Sequence, residues 1–174
     1  MQNVTLKWGT ISGVIIFGLP MLTYFVFGGG SENYTIGEII GYSAIVLSLL
    51  MIFAAINEYR KMQADQRVSF GKGLLIGLLI SAIAGTMFGV YNWIYVTFLN
   101  PDFMDEYYSY YIDQVRNSGK PAAEIEQAIQ GYEAEKAFFM SPTVQFATYF
   151  FTVFAVGLII SLFSAGIQSR LKQS

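Results

Sequence analysis

The chain has 174 residues, of which 54% are apolar, 17% aromatic and only 13% charged, with a formal net charge of −2. Soluble domains carry about twice that charged fraction, and a soluble helical bundle needs polar outer faces, so the composition argues against one. Cys and His are both absent, which removes disulfides, thiolate chemistry, the usual zinc and haem ligands, and every Ser–His or Cys–His nucleophile.

The apolar residues fall into four stretches, 8–27, 36–56, 74–99 and 144–167, with no Asp, Glu, Lys or Arg except Glu38, two residues inside the second. At a rise of about 1.5 Å per residue, each stretch can cross a hydrocarbon layer of about 30 Å. The first stretch is too long, and lacks the small-residue site, for a cleaved signal peptide. The glycines 28–30 read as a turn. The loop after the second stretch is basic, with Arg60, Lys61, Arg67 and Lys72.

The third stretch carries the sharpest pattern: Gly73, Gly77, Ser81, Gly85 and Gly89, four residues apart without a break. Small residues at that spacing let a second helix approach closely. The expected use is packing against the first or last span, with self-association, or the lining of a ligand or conduction path, as the alternatives. Gly9 and Gly13 form a shorter version in the first span.

Residues 101–140 read as a helical hairpin between the third and fourth spans. Asn100, Pro101 and Asp102 mark a helix start. Phe103, Met104, Tyr107, Tyr108, Tyr111, Ile112 and Val115 then share one arc of the helical wheel, opposite Asp105, Glu106, Ser109, Asp113 and Arg116. The segment 117–121 breaks the helix, and a second helix follows with Ile125, Ile129 and Tyr132 as its stripe. Tyr107, Tyr108, Tyr110 and Tyr111 are a candidate partner surface, because aromatic anchors make efficient contacts at low entropy cost. Asp102, Asp105 and Glu106 share a first helical turn, where acids usually favour the helix dipole rather than hold a metal.

Charge sets the expected orientation. Lys7, Arg60, Lys61, Arg67, Lys72, Arg170 and Lys172 share one side with two acids, whereas the other side has three bases and ten acids. Lys and Arg concentrate on cytoplasmic loops, so both termini are expected in the cytoplasm and the hairpin outside it. The spans hold uncharged polar groups such as Asn92 and Gln145, and no ionisable residue at mid-depth. That argues against ion-coupled transport.

Four short motifs resemble a family: residues 57–60 (NEYR), 69–73 (SFGKG), 100–103 (NPDF) and 157–165 (GLIISLFSA). Together they resemble a domain-of-unknown-function family of small four-helix bacterial inner-membrane proteins. The resemblance implies an envelope location and transfers no activity.

The expectation is thus a single all-α integral membrane domain over 1–174, a four-helix transmembrane bundle with an extracytoplasmic hairpin, in a bacterial inner membrane. The expected role is a structural or interaction subunit, with a small transporter or channel acting as an oligomer as the alternative. No catalytic residue, metal site or cofactor is expected, and no nucleic acid. The expected partners are the lipid bilayer, a second copy of the chain or an envelope protein.

Overall fold

The computed structural model describes residues 1–171; Lys172 and its contribution to the charge balance lie outside them. Four helices are long and apolar enough to cross a membrane: α1 (Gln2–Phe27), α2 (Tyr34–Lys61), α3 (Phe70–Ile94) and α6 (Pro142–Arg170). Between the last two lie α4 (Phe103–Arg116) and α5 (Ala122–Phe139), and the described residues form no strand. The chain is all-α, as its apolar patterning requires.

The helices run past the apolar stretches at several ends. α1 begins at Gln2 rather than near residue 8, and α2 continues to Lys61. Polar residues sustain helical geometry as readily as apolar ones, so hydropathy marks the lipid boundary and not the helix end. Regular geometry in α3 stops at Ile94, and the chain continues in a π-helical turn over Tyr95–Leu99, closed by a hydrogen bond from the Asn100 amide to the Tyr95 carbonyl (2.8 Å). The following helix therefore starts at Phe103, two residues beyond the position that Asn100 and Pro101 suggest.

α3 lies at the centre, packed on α6, α1 and α2. Its small-residue ladder faces α6. A methyl group built on Gly77 would overlap Ser161, and one built on Gly157 would overlap Ser81, so each helix offers a small residue where the other brings a hydroxymethyl. Further along, an added Cβ would lie 3.0 Å from Ala165 Cβ at Gly73, and 3.0 Å from the Phe150 carbonyl oxygen at Gly85. Gly89 meets the Phe146 ring. Close backbone approach of this kind replaces the hydrophobic drive that lipid cannot supply. The Ser81 and Ser161 hydroxyls donate to the Gly77 and Gly157 carbonyls of their own helices (2.7 and 2.5 Å), so the seam leaves neither orphaned. Gly9 and Gly13 receive Ile83 and Met87 on the opposite side of α3.

Ile16, Leu49, Ile52, Ile56, Ile76, Ile80 and Val153 fill the interior, and the Ser12 hydroxyl donates to the Ser48 carbonyl across α1 and α2 (2.8 Å). The outer faces remain apolar: Phe25 is 70% exposed and Phe163 66%. Surfaces of that kind around a whole bundle suit lipid and not water.

Candidate functional site

One end of the bundle gathers the C-terminal ends of α1 and α3, the N-terminal ends of α2 and α6, and the α4–α5 pair. Gly28, at φ 79°, turns the chain there from α1 towards α2. α4 and α5 lie against each other, with the Lys136 ammonium 2.6 Å from Asp105 and the Tyr108 and Tyr132 rings in contact at 6.3 Å. Gly119, at φ 70°, supplies a left-handed residue in the turn between α4 and α5.

The apolar arc of α4 turns towards the bundle. Tyr108 is buried, while Phe103, Met104, Tyr107, Tyr111, Ile112 and Val115 are partly buried; Asp105, Glu106, Ser109, Asp113 and Arg116 are exposed. The four tyrosines considered as a partner surface are thus engaged within the chain. Tyr110 packs edge-on against Tyr34 at 5.5 Å, and Tyr111 stacks on Tyr132 at 6.1 Å.

The central contact is polar. Tyr107 and Tyr111 each donate a hydroxyl hydrogen bond to Glu38 Oε1, at 3.0 Å. The spacing of four residues puts both rings on one face of α4, so one carboxylate oxygen receives them together. Burial is the main cause that raises the pKa of both phenols, and the hydrogen bond to Glu38 adds to it. Among the described residues no donor reaches Glu38 Oε2, and no cation pairs with this carboxylate.

Behind α4 lies a cavity of about 390 Å³. Glu38, Gly41, Tyr42 and Ile45 line it from α2, Phe88, Tyr91 and Asn92 from α3, Gln145, Thr148, Tyr149 and Thr152 from α6, and Phe103, Met104, Tyr107 and Tyr108 from α4. Glu38 carries the only formal charge among the described lining residues. Aromatic contacts run continuously through the wall, from Tyr149 to Phe88 (5.2 Å), Tyr91 (5.9 Å), Tyr95 (6.0 Å), Phe103 (5.2 Å) and Tyr107 (5.5 Å). Asn92 and Gln145 form a buried amide pair: the Asn92 amide donates to Gln145 Oε1 (3.0 Å), and the Gln145 amide donates to the Phe139 carbonyl (2.7 Å). That second bond satisfies a terminal carbonyl of α5 and fixes the α5–α6 corner.

Other sequence candidates lie elsewhere. The ladder Gly73, Gly77, Ser81, Gly85 and Gly89 is a packing seam with α6. Asp105 is paired with Lys136, and Glu106 accepts from the Tyr34 hydroxyl at 3.4 Å. Among the described residues no three acids converge in a way that could hold a metal ion. At the opposite end, Glu58 Oε2 accepts from both Lys7 Nζ and Trp8 Nε1, each at 2.8 Å, which ties α1 to α2. A second recess, of about 520 Å³, lies between α1 and α3, but it is almost wholly apolar and includes the exposed Leu6 and Leu79. Nothing in it could orient a polar ligand.

Glu38 lies only two residues inside its apolar stretch, so by position alone it groups with the acids of the outer loops. The available signal was the lone carboxylate inside an apolar stretch, which in a membrane segment marks a functional candidate by its cost.

The family described as Protein of unknown function (DUF4199) matches residues 7–170. No curated protein matches the chain, and no solved structure does.

Proposed function

Because the chain belongs to the DUF4199 family, whose description assigns no activity, we propose its function from the cavity: a multi-pass membrane protein that binds a small molecule beneath α4, as a carrier or a sensor. The observation that carries this reading is the pairing of a pocket of about 390 Å³ with one carboxylate that has no cationic partner among the described residues. Ligand sites are concave, mostly apolar, and hold a few convergent polar groups. A subunit that merely packed against neighbours would gain stability by filling this space and replacing Glu38.

The cavity end is the outward one in this reading. Lys7, Arg60, Lys61, Arg67, Lys72 and Arg170 lie at the other end, whereas Arg116, Lys120 and Lys136 are the bases of the α4–α5 side. Such a bias supports a reading with both termini in the cytoplasm of a bacterium, the spans in its inner membrane, and α4–α5 outside as a hairpin over the pocket. No catalytic role is assigned, since the cavity lacks a second acid or a nucleophile–base pair.

A partner-binding role for α5 is the second reading. α5 contains no buried residue, and Phe138, 61% exposed, and Met140, 50% exposed, stand at its end.

The two separate on one variant. Gly41 lines the cavity, and a Cβ added there meets nothing within 4 Å, so Gly41→Phe extends into open space. Thermal unfolding of the full chain in lipid nanodiscs, screened against small amphiphiles, should reveal stabilising compounds whose effect Gly41→Phe removes. Stabilisation that persists in Gly41→Phe, or none from any compound, would contradict ligand binding in this cavity.

A further inference from the structure

Resting on the ligand-binding reading, we propose that the cavity takes a small organic cation: an amine or quaternary ammonium joined to an apolar body, with its charge against Glu38 and its body among the rings.

Charge balance is the first argument. Glu38 is partly buried, and a carboxylate with reduced access to water is costly unless it is paired. Two phenol hydroxyls hold Oε1 of Glu38, and the described lining residues bring no Lys or Arg towards Oε2. A bound cation completes the site. An anion would meet repulsion from the one formal charge of the lining, and a neutral guest would leave that charge uncompensated.

Ring chemistry is the second. Tyr42, Phe88, Tyr91, Tyr107, Tyr108 and Tyr149 line the same space. Aromatic faces attract a cation within about 6 Å of their centroids, and they do so best for a weakly hydrated organic ion. A bare metal ion requires several oxygen ligands to replace its water, and one carboxylate with phenols and amides from separate helices is a poor set for that. The apolar body of an organic cation instead gains from burial against the rings.

The long-range field agrees. The cavity end bears Glu32, Asp102, Glu106, Glu124, Glu126, Glu133 and Glu135 besides Glu38, while its bases are Lys120, Lys136, paired with Asp105, and Arg116, paired with Asp113. An excess of one sign of charge at that end concentrates the opposite ion.

Three probes of one shape test the proposal: benzyltrimethylammonium, its carbon isostere neopentylbenzene, and phenylmethanesulfonate. Binding of each to the full chain in nanodiscs of zwitterionic lipid is measured by thermal shift and tyrosine fluorescence. The cation should bind about tenfold or more tightly than either comparison probe. Glu38→Gln, which keeps an acceptor for Tyr107 and Tyr111, should remove that preference, while Asp113→Asn at the exposed rim should keep it. Gly41→Phe should abolish binding of the cation.

Equal binding of the cation and its neutral isostere, lost in Gly41→Phe, would overturn the cation assignment while keeping ligand binding in the cavity. Cation binding that survives both Glu38→Gln and Gly41→Phe would place the probe elsewhere and overturn the proposal. If none of the three binds the wild-type chain, the cation proposal falls; the amphiphile screen then decides whether the ligand-binding reading falls with it. The preference among the probes is read on the wild-type chain, so the test stands even if one variant fails to fold.

Discussion

Tyr107 and Glu38 are 69 residues apart in the chain and meet at 3.0 Å, phenol to carboxylate, at the mouth of the cavity. This bond and its neighbour from Tyr111, with the longer bond from the Tyr34 hydroxyl to Glu106 (3.4 Å), are the polar attachments of α4 to α2. They also occupy one oxygen of the acid in the pocket lining, and among the described residues no donor reaches the other.

Removing both phenols should therefore loosen α4 without disturbing the spans. Hydrogen bonds to a charged group contribute about 1.5–3 kcal/mol each, and the half-buried setting puts these near the lower figure. Tyr107→Phe with Tyr111→Phe should accelerate amide exchange across α4 and leave exchange in α3 unchanged. Equal protection in variant and wild type would show that ring packing alone seats the helix.

High pH should have the same effect by titration. Burial and the bonds to Glu38 raise the Tyr107 and Tyr111 pKa above the ordinary 10.0. A raised folded-state value means stability that is complete below the ordinary pKa and is lost as pH rises through the folded one. Protection of the α4 amides, taken relative to their intrinsic base-catalysed exchange, should stay constant up to about pH 10 and fall above it. The Phe pair should show a smaller fall, since only Tyr108 remains of the three α4 phenols with a raised pKa. Loosening that begins well below pH 10 would assign the effect to another group.

The glycines predict opposite outcomes for one kind of change. A methyl group at Gly77 would overlap Ser161, whereas Gly166 and Gly18 have nothing within 4 Å. Gly77→Ile should overpack the α3–α6 seam by about 1–3 kcal/mol. Gly166→Ala should be neutral or stabilising by up to about 1 kcal/mol, because alanine favours helix. Thermal unfolding of both variants checks this, and equal tolerance would mean that the seam yields.

The spans and the seam are legible in the sequence because their signals are local: runs of apolar residues, and small residues every fourth position. The wheel of α4 is legible for the same reason, down to its exposed Asp105, Ser109 and Asp113. The destination of its aromatic arc is not. Tyr107 and Tyr111 meet an acid on another helix, and Asn92 meets Gln145 at a separation of 53 residues. Periodicity says which face is covered but not what covers it. The π-helical turn at Tyr95–Leu99 was likewise hidden, since its sequence is as apolar as the helix before it.

That amide pair yields a prediction of its own. Gln145→Leu strands both the Asn92 donor and the Phe139 carbonyl, so it should destabilise by about 1–3 kcal/mol. Asn92→Leu together with Gln145→Leu should cost less than the sum of the single changes, since the pair is in direct contact. A strictly additive thermal cycle would mean that the bond contributes nothing.

The most direct measurement uses the absence of cysteine from the chain. Thr148 lines the cavity, and Thr148→Cys places there the one thiol of the protein. Intact cells are treated with a membrane-impermeant trimethylammonium thiosulfonate or with its sulfonate counterpart, and labelling rates are compared. An outward, water-accessible cavity governed by Glu38 predicts labelling from outside, faster by the cationic reagent. Glu38→Gln should level the two rates, and Gly41→Phe should suppress both. A thiol that reacts only after the cells are opened, or reacts equally with both reagents in the presence of Glu38, would contradict an outward cation-binding cavity.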